Sequence, residues 1–150
     1  MRGAATVISD YLGLEVLSLK NVCRHHRCVS CCYETEMLLL KDDVRRIMSL
    51  GFKEGFFIVE SRGFKKLRNS NGRCVFHDGW QCTIYPNRPL GCRLYPVIFD
   101  ENLNHSVMDR LCPFRAEFPL SFKARRESSK LYLKLIDERA TKKRLEDSQQ

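Results

Sequence analysis

Eight cysteines in a chain of 150 residues fall into two blocks, and thiols at such intervals are suited to holding soft metals. The first block reads Cys23-Arg-His-His-Arg-Cys28-Val-Ser-Cys31-Cys32. The second opens at Cys74 and runs through Cys82 and Cys92 to Cys112. Short loops bring two sulfurs onto one ion at small entropic cost. Cys23-x4-Cys28-x2-Cys31 has the spacing of three plant-type iron–sulfur ligands, which need a fourth cysteine from elsewhere. Zinc accepts four thiolates equally well, so spacing leaves an iron–sulfur cluster and zinc both open. The sulfurs of adjacent Cys31 and Cys32 are expected to diverge, as neighbouring side chains do on most backbones. Two four-sulfur sites, or one multi-metal cluster, would use these thiols better than one mononuclear site.

An even number of cysteines also admits a disulfide framework. Against it, the apolar run at the N-terminus is broken by Ser9 and Asp10, so no secretory signal is expected. Disulfide-dense folds are mostly shorter than about 80 residues. The close Cys28–Cys31 pair also suits a chelating loop better than a long-range crosslink. The expectation is a cytoplasmic protein without a membrane span, since no apolar stretch approaches roughly 18 residues. The net charge of +8 counts every thiol as neutral. Eight thiolates on two divalent ions would roughly halve it, which weakens the case for a nucleic-acid partner.

The elements that must position these thiols are short. Thr6–Leu12 reads as a brief helix or strand. Lys41–Gly51 predicts a helix, with Asp42 and Asp43 at its positive end and Val44, Ile47 and Met48 on one face. Gly51 is placed to end it in the left-handed conformation. Strands are expected at Phe57–Glu60, Phe64–Arg68 and Arg73–Phe76, the last two joined by an Asn71-Gly72 hairpin turn. His77-Asp78-Gly79 is a further turn, and Trp80 is expected in the core. Pro86, Pro89 and Pro96 predict a constrained loop over 86–99, extended at Tyr95–Phe99. Beyond Pro119 the pattern is helical and charged, with the last ten residues frayed. The organisation is a lead-in over 1–22, a cysteine-cluster domain over 23–118 and a charged C-terminal helix and tail over 119–150. Together they make a small α+β, metal-stabilised domain with short strands, a hairpin and a few helices.

The second block contains Cys74-x-Phe76, Cys82-x-Ile84-Tyr85 and Arg88-Pro89-x-x-Cys92-Arg93-x-Tyr95-Pro96. With Cys28-x-x-Cys31-Cys32 upstream and a helix ending at Leu50-Gly51, it resembles the YkgJ-type cysteine-cluster proteins over about residues 23–113. The resemblance implies a zinc- or iron-chelating domain related to flagellin lysine N-methylase, with no reaction assigned to most members. The family's first cysteine would fall at His25, so either Cys23 ligates from a longer loop or His25 replaces it. Cysteine is the softer ligand and suits both metals. The expected metal ligands are Cys23, Cys28, Cys31, Cys32, Cys74, Cys82, Cys92 and Cys112.

Around them, Arg88 and Arg93 would either donate to sulfur or an anion, or tie the loop to backbone carbonyls. Tyr85 and Tyr95 are expected to pack around the site and His26 to be exposed or to support a ligand. His105 falls in a polar loop. Two further functions compete with a metal-binding protein. One is a lysine methyltransferase-like enzyme using S-adenosylmethionine, although no glycine-rich nucleotide loop is present. The other is a zinc-stabilised basic adaptor for nucleic acid or the ribosome. It would use Arg62, Lys65, Lys66, Arg68 and Arg73 together with the basic C-terminal region, whose interspersed acids argue for an ordinary solvated helix.

Overall fold

A computed structural model describes residues 22–149. The short element expected at Thr6–Leu12 lies outside them. One helical turn, α1 (Val22–His25), carries Cys23, and a 3₁₀ turn at Ser30–Cys32 carries Cys31 and Cys32. Helix α2 spans Lys41–Met48. Asp43 at its third position accepts the Leu40 N–H at 3.0 Å, one arm of a capping box, while Asp42 and Asp43 meet the positive end of the dipole. Val44 and Ile47 are buried, but Met48 is 43% exposed, one residue past the buried stripe. Gly51 takes φ +98° and ends the helix as expected.

The next turn, α3 (Glu54–Phe57), takes Phe57 out of the expected strand and buries it completely. Strands β1 (Ile58–Ser61) and β2 (Phe64–Leu67) pair antiparallel, with Ser61 opposite Phe64. Their turn is Arg62-Gly63, both at positive φ, a tight hairpin with no sequence signal as strong as Asn-Gly. Strands β3 (Asn69–Ser70) and β4 (Arg73–Cys74) form the second hairpin, and Asn71-Gly72 is its turn at φ 51° and 73°. Leu39 donates to Lys65 O and Leu67 to Met37 O, so the segment before α2 lines the edge of β2. Leu39, Val44, Ile47, Phe57, Ile58, Leu67 and Phe76 form the core, with Cys74 inside it and Cys82 and Cys92 packed against it.

The proline-bounded loop contains one regular piece that the sequence hid. Helix α4 (Leu90–Leu94) follows Pro89 immediately, since a proline at the boundary needs no N–H. Strands β5 (Val97–Asp100) and β6 (His105–Met108) then form a third antiparallel pair, so His105 lies at a strand start rather than in a loop. Every sheet among the described residues is a two-stranded antiparallel ribbon. Helix α5 (Phe122–Asp147) closes the fold across β5, β6 and α4. Ser121 caps it by accepting the Ala124 N–H at 3.1 Å. Most of the stretch expected to fray is helical: α5 persists to Asp147, and the Lys142–Glu60 ion pair at 2.7 Å ties its last turns to β1. No helix among the described residues is long and apolar enough to cross a membrane.

Candidate metal centre

Each cysteine is set by a local device. Arg27 at φ 51° reverses the chain after α1, and Cys28 donates to Cys23 O at 2.7 Å, folding Cys28 back over Cys23. Cys74 ends β4, and its carbonyl accepts the His77 N–H, starting the turn to Cys82. Cys82 sits opposite His77 in a single antiparallel bridge, held by Thr83 donating to Phe76 O. Cys92 rides on α4, whose first N–H, from Leu90, is accepted by Asp43. Gly91 beside it lets the Met37 side chain pack directly on the α4 backbone. Cys112 closes a turn by donating to Asp109 O.

These loops converge. Cys23, Cys28, Cys31, Cys32, Cys74, Cys82 and Cys92 all line one cavity of about 530 Å³, walled also by Arg24, Arg27 and Arg88 and, among the described residues, by no carboxylate. Cys112 is buried and lies in the electrostatic reach of Cys28 and Cys31. All eight are free thiols. The sulfurs of Cys31 and Cys32 do not diverge as expected: the two thiols interact directly. A 3₁₀ backbone turns successive side chains by about a third of a circle, rather than the half circle of a strand.

That contact divides the pair chemically. The Cys32 hydrogen bond, opposed by enclosure and helped by Arg88, brings Cys31 down to about 7, while the same bond and enclosure push Cys32 far up. Enclosure raises Cys23 and Cys74 to about 11 each, and raises Cys82, Cys92 and Cys112 as well. The charge of Cys31 adds to the rise at all six.

A sequence model described as a "putative zinc- or iron-chelating domain" matches residues 22–113, more than half the chain. The chain belongs to the CxxCxxCC family. No curated protein and no solved structure matches it. Chelation of zinc or iron is the chemistry that this CxxCxxCC membership supports, and the donors fit it: thiols on one cavity wall, beside cationic groups that offset thiolate charge. Among the described residues, no three Cys, His, Asp or Glu side chains already converge as a finished metal cage. The CxxCxxCC thiols ring a space instead, so ordering of the loops would accompany binding.

Cys23 lines the cavity, whereas His25 is exposed and packs edge-on against His26. His26 bonds Glu117 at 2.8 Å and stacks on Phe114, bracing the Cys23 loop against the Cys112 segment. Arg88 and Arg93 bind carbonyls: Arg88 donates to Tyr85 O and Arg93 to Arg88 O and Pro86 O. Arg24 and Arg88 also stand over the Tyr85 ring at 4.2 and 3.7 Å, which fixes that ring at the cavity wall. Trp80 is not core but 89% exposed at the cavity mouth. Asp78 accepts the Trp80 and Gln81 N–H groups, and Gly79 at φ +106° turns the indole outward. His77, expected only as a turn residue, is 6% exposed, and its Nε2 has no hydrogen-bond partner among the described residues. Its Nδ1 accepts the Gly79 N–H, so Nε2 carries the ring proton.

The competing functions gain nothing from this geometry. Among the described residues the antiparallel ribbons form no parallel strand-to-helix crossover of the kind that holds a nucleoside cofactor. The basic stretches are partly spent on internal pairs: Lys65 with Glu54, Lys66 with Glu36, Lys134 with Asp42 and Lys142 with Glu60.

Proposed function

We propose that the eight cysteines hold one polynuclear metal–thiolate centre, of zinc or of iron and sulfide, with Cys31 as the sulfur common to its two sides. Cys23, Cys28 and Cys112 form one side, and Cys32, Cys74, Cys82 and Cys92 form the other. The position of Cys31 carries this reading. It acts on cysteines of both sides, whereas Cys28 acts on Cys23 and Cys112, and Cys82 acts on Cys32, Cys74 and Cys92. A sulfur so placed suits a bridging ligand. Bound metal would crosslink loops that have few ladder bonds of their own, and an iron–sulfur form would add electron transfer. Arg24, Arg27 and Arg88 would balance the thiolate charge, and Tyr85 and Tyr95 would limit water.

The test is metal and acid-labile sulfide content of protein purified without oxygen, with its visible spectrum. Two or more metal ions per chain support a polynuclear centre, and one or none would sink it. Iron with matching sulfide and a brown chromophore makes the centre a redox group. Zinc without sulfide makes it a scaffold.

A further inference from the structure

Behind Cys31 lies a second concavity of opposite character. Its volume is about 390 Å³, and Cys31, Thr35, Met37 and Tyr95 line it as well as the thiol cavity. The floor is apolar, made by α5 and the β5 edge, with Phe99 and Tyr132 stacked at 4.3 Å. Glu34, Glu36, Glu101 and Asp109 stand around it. No described lysine, arginine or histidine lines it, in a chain that carries 26 Lys and Arg against 18 Asp and Glu.

The four acids are not equivalent. Glu36 is engaged by Lys66 at 2.6 Å, and Asp109 by the Leu111 N–H and the Tyr95 hydroxyl. Glu34 and Glu101 have no ion-pair partner among the described residues. An apolar, aromatic-floored pocket of this size accepts a small molecule. Carboxylates standing around an apolar floor select positive charge. We propose that this pocket binds a small organic cation, a protonated amine carried on an apolar or aromatic body. The body would lie on Phe99, Tyr132 and Leu131 and the ammonium toward Glu34 and Glu101. Occupancy would set a ligand against the wall that carries Cys31, whichever metal the thiols hold.

The probe is 2-phenylethylamine, titrated into the full metal-loaded chain by NMR, with 2-phenylethanol as the uncharged counterpart. Saturable binding of the amine, with shifts confined to the pocket and about three- to tenfold tighter than the alcohol, is expected. The Glu34→Gln/Glu101→Gln double variant should remove that preference while leaving alcohol binding and thermal unfolding unchanged. Equal binding of amine and alcohol, no saturation, or a preference that survives the double variant would each overturn the proposal. Metal content measured on the same samples separates failure of the pocket from failure of the thiol centre.

Discussion

The thiol cavity and the α2–hairpin–α5 side of the molecule are held together by different forces. On the second side, ordinary devices suffice: a capped helix, two tight antiparallel hairpins, an apolar core around Ile47 and Phe57, and α5 pinned by ion pairs at both Asp42 and Glu60. Around the cavity, the chain runs through single turns and isolated bridges, and polar or thiol groups occupy the space where a core would be. Such loops have few ladder bonds and carry a large ordering entropy, with Phe76 and Ile84 anchoring the second block in the core. A bound metal, as proposed, would supply what the ladders do not. The contrast implies two stability regimes in one small fold, one metal-dependent and one not.

The sharpest way to break that contrast is to remove a thiol on the proposed centre. Cys82→Ser and Cys92→Ser change one atom and leave packing volume nearly intact, so the loss is chemical. Each should lower metal content and cost about 3 kcal/mol or more in unfolding free energy. Amide exchange should rise over 23–32 and 74–92 while β1–β2 and α2 stay protected. Unchanged metal and stability in both variants, or uniform loss of protection, would refute the division.

Asp43 stands on the border between the two regimes. It is 1% exposed, and its oxygens accept from Leu40, Leu90 and Arg46 at 3.0, 3.0 and 2.6 Å. Arg46 also donates to Arg88 O, so one buried carboxyl links α2 to the segment bearing Cys92. Asp43→Ala strands two backbone N–H groups and a guanidinium, at about 3 kcal/mol. Denaturant unfolding measures that cost. Metal affinity should fall as well, because α4 loses its anchor. A destabilised variant with wild-type affinity would show that Asp43 serves the core alone.

Asp43 also marks what the sequence could and could not show. Acids at the start of a periodic helix were legible, as were Gly51, the Asn71-Gly72 turn and the cysteine blocks, because each is local chemistry. That Asp43 reaches forward to Leu90 was not, since nothing local to 43 encodes a contact 47 residues away. Helix α4 was hidden by its prolines, which forbid helix interiors but not helix starts. Trp80 misled because a large indole ordinarily pays its way by burial, whereas here an Asx turn and a left-handed glycine direct it outward. Cys31 and Cys32 were misjudged by applying strand geometry to a 3₁₀ turn. The acid-lined pocket gave no sequence signal, because its residues come from five separate stretches of chain.

The pH dependence of metal binding tests the same contrast more gently. Six thiols are raised above their ordinary range by enclosure and neighbouring sulfur, so near neutral pH they hold their protons until metal displaces them. Affinity should therefore rise with pH, by about tenfold per pH unit for each proton displaced. Chelator competition between pH 6 and 8 gives the slope. A flat profile would mean that the ligands are already thiolates and would remove these six from the centre.

The smallest effect belongs to the metal-independent side. Lys134 and Asp42 pair at 2.7 Å, and both side chains are about half exposed, so Lys134→Ala should cost below about 1 kcal/mol. The hydrogen bond and charge of Lys134 hold the Asp42 carboxyl below the usual range. A depressed folded-state carboxyl stabilises fully above the unfolded Asp pKa of about 3.9, and that contribution disappears as pH falls through the folded value. Urea unfolding of the two proteins should then differ by a constant amount from pH 6 to 8 and converge in acid. Because this pair ties α5 to α2 and touches no thiol, the difference should be the same with and without chelator. A difference that appears only with metal bound would mean that the two sides share one cooperative unit.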